Sequence, residues 1–485
     1  MKQFTELNAW IPLEKQAQDL RSKALKTPPE KRFQLHTPHI SLDFTNQRLD
    51  ETTFELLLEL AKECNLEAKI KTLIQGDIVN HSEKRPALHT ALRTHEKTLL
   101  VDGHNIMQDI VATREKMHAI ATQIRAGFWL GSTGRPITHI VNIGMGGSDF
   151  GPRFCIDALS EWKCANLSYH FVSDMDPHSF EHAVAGLNPE TTLFIISSKS
   201  FTTQETLYNA KKAFAFSKNC QPAKHFIAVT ANSRKAEEFG IENVLPIWDW
   251  VGGRYSLCSA INLITCIAIG PLRFTELLDG AHSMDEHFKG TDFHENLPVV
   301  MALIGVWNIN FLHIPSLLLL VYAKQLEQLV PYIQQLDMES NGKSIDINGR
   351  SVNYSTGPII WGGSGNQAQH SYYQLLCQGT HKVAADFIST RAFDNEVINS
   401  LCEKKIQVLS KGIPELNANA YIAGGMPINH LQVAACTPFV LGALIALYEH
   451  KIFTQSVLWH INPFDQPGVE SAKRFKKMPE VIKSF

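Results

Sequence analysis

Thr192-Leu-Phe-Ile-Ile-Ser197 runs directly into Ser198-Lys-Ser-Phe-Thr-Thr203, and a helical stretch opens near Gln204. The first six residues are bulky and β-branched, the composition of a strand. The next six crowd four further hydroxyl side chains into a turn. Two other segments repeat this order. His139-Ile-Val-Asn-Ile143 enters Gly144-Met-Gly-Gly-Ser148. Asn243-Val-Leu-Pro-Ile247 leads to Trp250-Val-Gly-Gly-Arg254, and a long apolar helix is expected from about Ser256. Repeated strand–loop–helix order predicts α/β layers around a parallel sheet.

Outward from this core, Phe4 to Thr113 reads as mainly helical, with 52–62 as one clear stretch. A second α/β stretch spans about 295–460. Its expected strands are one adjacent to Leu336 and Gly357-Pro-Ile-Ile-Trp361, and its expected helices include Asp394 to Leu409 and Phe439 to Tyr448. The lysine-rich tail from Lys473 to Lys483 reads as helical. The expected division is a helical N-terminal region (1–112), a first α/β domain (113–275) and a second α/β domain with the helical tail (276–485).

Of 485 residues, 44% are hydrophobic and 19% charged, which suits a globular chain with a substantial core. A net charge of −3 gives no global attraction for nucleic acid or an acidic membrane, so an anionic small substrate needs a local site. The longest apolar run, Pro315 to Tyr322, is far short of the ~20 residues that span a bilayer. Met1 to Asp19 has no signal-peptide pattern, and a cytoplasmic location is expected. The nine cysteines are scattered without a CxxC pair, so free thiols are expected rather than a disulfide framework. No HExxH motif or other spaced ligand set suggests a metal.

In open α/β sheets, ligands bind beyond the carboxyl ends of strands, where helix N-termini favour anions. The loops 144–148 and 198–203 have that design. Each could equally be a solvated turn that caps a helix. The first is not a dinucleotide fingerprint, because Asp149 stands where the third glycine belongs. Gly342-Lys343-Ser344 lacks the upstream glycine of a Walker loop, since position 337 is Asp. Four side chains could do chemistry: Glu339 at a helix end before Asn341-Gly342, Arg254 behind two glycines, His370 after a glycine-rich loop, and Lys473 behind Gly468-Val-Glu470. Taken singly, each also reads as an ordinary surface carboxylate, ion pair, helix cap or solvated lysine.

Taken together, the pieces resemble the glucose-6-phosphate isomerase (phosphoglucose isomerase) family. Asp249-Trp-Val-Gly-Gly-Arg-Tyr-Ser-Leu-Cys-Ser-Ala260 looks like one signature of that family, and Phe464-Asp-Gln-Pro-Gly-Val-Glu-Ser-Ala-Lys473 like the other. Ile143 to Pro152, Ser198 to Thr206, Gln335 to Lys343, Gln369-His370 and Arg85 to Arg93 match in family order, so the likeness runs from about 80 to 475.

The resemblance implies two sugar-isomerase (SIS) type α/β domains with extra helices. It also implies a homodimer in which His370 crosses the interface, with no cofactor and no metal. By residue, it implies that Ser148, Ser198, Ser200 and Thr203 hold a phosphate with backbone help from Gly147 and Lys199. His370 and Lys473 would open the sugar ring, and Glu339 would carry a proton between C2 and C1. Arg254 would stabilise the enediolate, while Gln335 and Gln466 would position hydroxyls. A sugar-phosphate sensor without catalysis would have no need of Glu339, Arg254, His370 and Lys473 together. Departures from the family pattern are Ser200 for Thr, Gly363 for Glu, Cys377 for His, Pro467 for Trp, and Gly424-Gly-Met-Pro427 for Gly-Asn-Arg-Pro.

Overall fold

The computed structural model describes residues 3–22, 33–392, 395–413, 417 and 419–474. Its strands in chain order are β1 (Gln34–His36), β2 (Ile40–Asn46), β3 (Leu100–Val101), β4 (His104–Asn105), β5 (His139–Gly144), β6 (Ser168–Val172), β7 (Thr192–Ser197), β8 (Phe226–Thr230), β9 (Val244–Pro246), β10 (Ser316–Val321), β11 (Ile359–Ser364), β12 (Ala384–Thr390) and β13 (Ile428–Val433). The chain forms two discontinuous compact units, one of residues 1–84 and 279–463, the other of 85–278 and 464–485. The three consecutive segments expected from the sequence do not coincide with these units. The expected edge at 112/113 falls inside the helix Ile106–Arg125.

The unit formed by 85–278 and 464–485 carries a five-stranded sheet in the order β6-β5-β7-β8-β9, parallel throughout. Val141, Ile143, Phe194, Ile196, Phe226 and Ala228 share one core with Ala210 and Ala213 of the helix Gln204–Phe216. Ile140, Leu193 and Ile195, on alternate positions, are equally buried. Strands buried on both faces are the mark of a parallel sheet covered by helices. The expected long helix from Ser256 is instead a 3₁₀ turn (Ala260–Asn262) followed by Leu263–Ile269. It stops at Gly270 (φ +89°), just before Pro271.

The unit formed by 1–84 and 279–463 carries a six-stranded sheet, β1-β2-β13-β12-β10-β11. The last four are parallel, and β2 pairs antiparallel with β13. Two sequence expectations are corrected here. Ile40–Asn46, placed within the helical N-terminal region, is a strand; its period-two pattern Ile-Ser-Leu-Asp-Phe-Thr was the signal. The segment around Leu336 is helical, and the strand lies earlier, at β10 inside the apolar run Pro315 to Tyr322. A continuous apolar run is what a strand buried on both faces needs. The helices Glu51–Glu63, Glu396–Lys411 and Pro438–Leu458 cover the expected ones, except that Asp394 lies outside the described residues. The tail beyond 474 also lies outside them.

Candidate active site

The candidate residues fall on both units. In the five-stranded sheet the chain leaves β5 for β6 on one side, then crosses to β7 on the other. The carboxyl ends of β5 and β7 therefore flank the switch point where open α/β sheets bind ligands. Gly144 and Ser197 are paired neighbours there, so the loops after them lie side by side. Each loop leads into a helix N-terminus, at Phe150–Ala158 and at Gln204–Phe216. Partial positive charge there favours an anion.

The second loop is anchored from below. Phe201 is buried in the core at φ +51°, an uncommon conformation for a side-chain-bearing residue. With that ring held down, Ser200 is exposed and its Oγ lies 2.6 Å from Thr202 Oγ1. Ser198 Oγ donates to Thr203 Oγ1 at 3.2 Å. The structure thus gathers Ser198, Ser200 and Thr203 on one short loop, beside the half-buried Ser148.

Arg254 is 5% exposed. Its guanidinium donates to Gln466 Oε1 at 3.0 Å and to the Asp465 carbonyl at 2.9 Å. Gly147 packs against this segment so closely that a Cβ would lie 2.0 Å from Gly253 O and 2.8 Å from Arg254 N. Only glycine allows that approach. Lys199 adds a second tie that the sequence did not reveal. Its Nζ donates to the carbonyls of Asp249 and Val251, each at 2.8 Å, and so binds the hydroxyl loop to the stretch before Arg254. From the upstream match, His89 packs on Tyr255 and Phe464, with centroids 4.8 and 6.2 Å away. Lys473 sits on the helix Pro467–Arg474, exposed, with its Nζ 3.4 Å from Glu470 Oε1. Pro467 opens that helix, a position where its missing N–H costs nothing.

In the other unit, Gln335 and Glu339 lie on a π-helical turn, Gln334–Glu339. Wide turns of this kind recur at functional sites. Both residues are half-buried, and Gln335 Nε2 donates to Glu339 Oε2 at 3.0 Å. The same turn is stitched to β11: Gln334 Nε2 donates to the Ile360 carbonyl at 3.0 Å, and the Ile360 N–H donates to Met338 Sδ at 3.4 Å. Beyond β11 the chain passes Gly365, whose carbonyl accepts from the buried Lys405 at 2.9 Å. It then forms the short helix Gln367–His370, where His370 is exposed.

Gly363 lies within β11 rather than in the loop expected from the sequence, at φ +146°, which a side chain rarely adopts, so a glutamate there would require a different strand backbone. Gly425 is at φ +78°, where the family's asparagine is also tolerated. Cys377 is half-buried against the core of its unit. Among the described residues, no group of three or more His, Cys, Asp or Glu could hold a metal ion. Among them also, no helix is long and apolar enough to cross a membrane.

Residues 43–483 match the model of the phosphoglucose isomerase family. A protein of Legionella pneumophila (strain Lens) named glucose-6-phosphate isomerase is 57% identical over 98% of this chain and 97% of its own. A Shewanella halifaxensis protein of the same name is 42% identical over 98% of this chain and 94% of its own. The crystal structure of a glucose-6-phosphate isomerase from Chlamydia trachomatis superposes with a TM-score of 0.90 at 29% identity, covering 100% of this chain and 98% of that one. With the hydroxyl loops, Arg254 and the Gln335–Glu339 turn all in the matched span, the chain belongs to the phosphoglucose isomerase family.

Proposed function

We propose that this chain interconverts glucose 6-phosphate and fructose 6-phosphate, a step of glycolysis and gluconeogenesis. The observation that carries this reading is the packing of Gly147 on the backbone of Gly253 and the buried Arg254, which joins the stretch bearing that arginine to a hydroxyl loop at a sheet switch point. The names of the relatives support it.

Ser148, Ser198, Ser200 and Thr203 hold the phosphate, with the amides of Gly147 and Lys199. His370 and Lys473 open the ring: the C1 hydroxyl of the cyclic aldose gives up a proton, the ring oxygen gains one, and the C1–ring oxygen bond breaks. Glu339 removes the C2 proton, giving a cis-enediolate, and returns it to C1, while the hydroxyl proton passes from O2 to O1, so that the C1 carbonyl becomes a hydroxyl and the C2 hydroxyl becomes the carbonyl. Arg254 stabilises the negative oxygen, since a fixed charge in a water-excluded site acts far more strongly than in bulk solvent. Gln335 and Gln466 orient hydroxyls. Through their hydrogen bonds, one is tied to the base and the other to the guanidinium. The protein acts as a homodimer in which His370 serves the partner's site, a role that its exposure permits. It works in the cytoplasm without a cofactor or metal.

The test is turnover of fructose 6-phosphate by the purified chain, with and without EDTA, read through a coupled NADP-dependent dehydrogenase. Rapid turnover unaffected by EDTA is expected. A folded chain without turnover would overturn the reading.

A further inference from the structure

The turn that presents Gln335 and Glu339 has a buried side. Asp337 lies two residues from Glu339, near the opposite face of a helix, and is fully buried. Its Oδ2 is 3.1 Å from Lys451 Nζ, and its Oδ1 accepts from Asn341 Nδ2 at 2.9 Å. Lys451 is 2% exposed, on the helix Pro438–Leu458. Asn341 also reaches the Ile452 carbonyl of that helix, at 3.5 Å. A second buried carboxyl is nearby on β12. Asp386 accepts from Asn429 at 2.8 Å, and Asn429 in turn accepts from Gln47 at 2.9 Å. Burial raises the Asp386 pKa and favours its neutral form.

Burying two charges is costly unless their paired geometry is kept. That cost gives the pair control over how the turn winds. Rewinding the turn as α-helix shifts the chain by one residue, a rotation of about 100°. Such a slip would carry Asp337 away from Lys451 and leave two isolated charges in the core.

We propose that the Asp337–Lys451 pair fixes the winding and register of the Gln334–Glu339 turn and thereby sets the Glu339 carboxylate against C1 and C2 of the substrate. Both are positioning residues, and the proposal rests on Glu339 being the base. The chain's own pattern carries a trace of it: Glu449-His450-Lys451 ends the apolar run Pro438 to Tyr448 on a helix whose middle is buried.

The test is the double variant Asp337→Leu/Lys451→Met, which removes both charges, a change that buried pairs often tolerate. A melting temperature near the parent's is expected, with parent-like binding of sorbitol 6-phosphate, an acyclic alcohol that cannot isomerise. The expected loss is in kcat, about 10²-fold, the scale of a 1 Å misplacement. The isotope effect on 2-deuterio glucose 6-phosphate rises with it, because proton abstraction becomes the slow step. A merely structural role would lower the active fraction and leave the isotope effect unmoved. Parent-like kcat and isotope effect in the folded variant would overturn the proposal. If the double variant does not fold, Asn341→Ser keeps the ion pair and loosens its bracket. It should lose about tenfold in kcat with the same rise in isotope effect, and parent-like values there would overturn the proposal as well. Failure of the underlying reading looks different, because parent-like turnover by Glu339→Gln would remove the base itself.

Discussion

Gly147→Ala places a methyl group where two loops already touch. The new Cβ would lie 2.0 Å from Gly253 O and 2.8 Å from Arg254 N. Both neighbours are backbone atoms, so no side-chain rotation relieves the contact. Reaching the 3.0 Å at which real Cβ contacts begin requires the loops to part by about 1 Å. Displacements of that size in a catalytic constellation cost about 10²-fold in rate, or ~2.7 kcal/mol. Overpacking of this kind also costs roughly 1–3 kcal/mol of stability. The assay is kcat/KM for fructose 6-phosphate together with the melting temperature. Gly290→Ala is the control, since its Cβ would meet nothing within 4 Å. We expect Gly147→Ala to lose about 10²-fold in kcat/KM, shared between a raised KM and a lowered kcat, and the control to match the parent. A folded Gly147→Ala protein within twofold of the parent would refute the reasoning.

Two further outcomes are expected. Lys199→Met removes a charged donor from two carbonyls, a change weighing about 1.5–3 kcal/mol per bond at most. It should raise KM for fructose 6-phosphate about tenfold or more, and an unchanged KM would mean that the hydroxyl loop holds without its tie. His430 accounts for part of the acid sensitivity. Burial pushes its imidazole down to about 4 from an ordinary 6.5, so the folded state keeps it neutral where the unfolded state takes up a proton. Its contribution is present above pH 6.5 and is lost as pH falls toward 4. Urea midpoints measured across that window should fall less steeply in His430→Gln than in the parent, and parallel curves would contradict this.

What the sequence revealed and what it hid follow from the range of the interactions. The strands His139–Gly144 and Thr192–Ser197 and the helix beginning at Gln204 were legible because a strand, its loop and the next helix are local patterns. So were the two hydroxyl loops. The strand Ile40–Asn46 shows its alternation, but it pairs locally only with the three-residue β1, and its long partner β13 is remote in the chain. The strand at 316–321 is hard to read because its continuous apolar run, buried from Leu318 to Val321, has no alternation. The ties of Lys199 to residues 249 and 251, and of Asp337 to Lys451, join distant segments and leave no spacing signal. The π-helical winding around Glu339 has no compositional mark at all.

The central claim is that Glu339 carries the proton between C2 and C1. Its most direct test is fructose 6-phosphate turnover in D₂O by the parent and by Glu339→Gln, with deuterium at C2 of the glucose 6-phosphate read by NMR. The account expects the parent to isomerise with deuterium entering at C2. It expects Glu339→Gln to bind fructose 6-phosphate but neither isomerise nor exchange it. Isomerisation with exchange at near-parental rate by the folded Glu339→Gln protein would contradict the account.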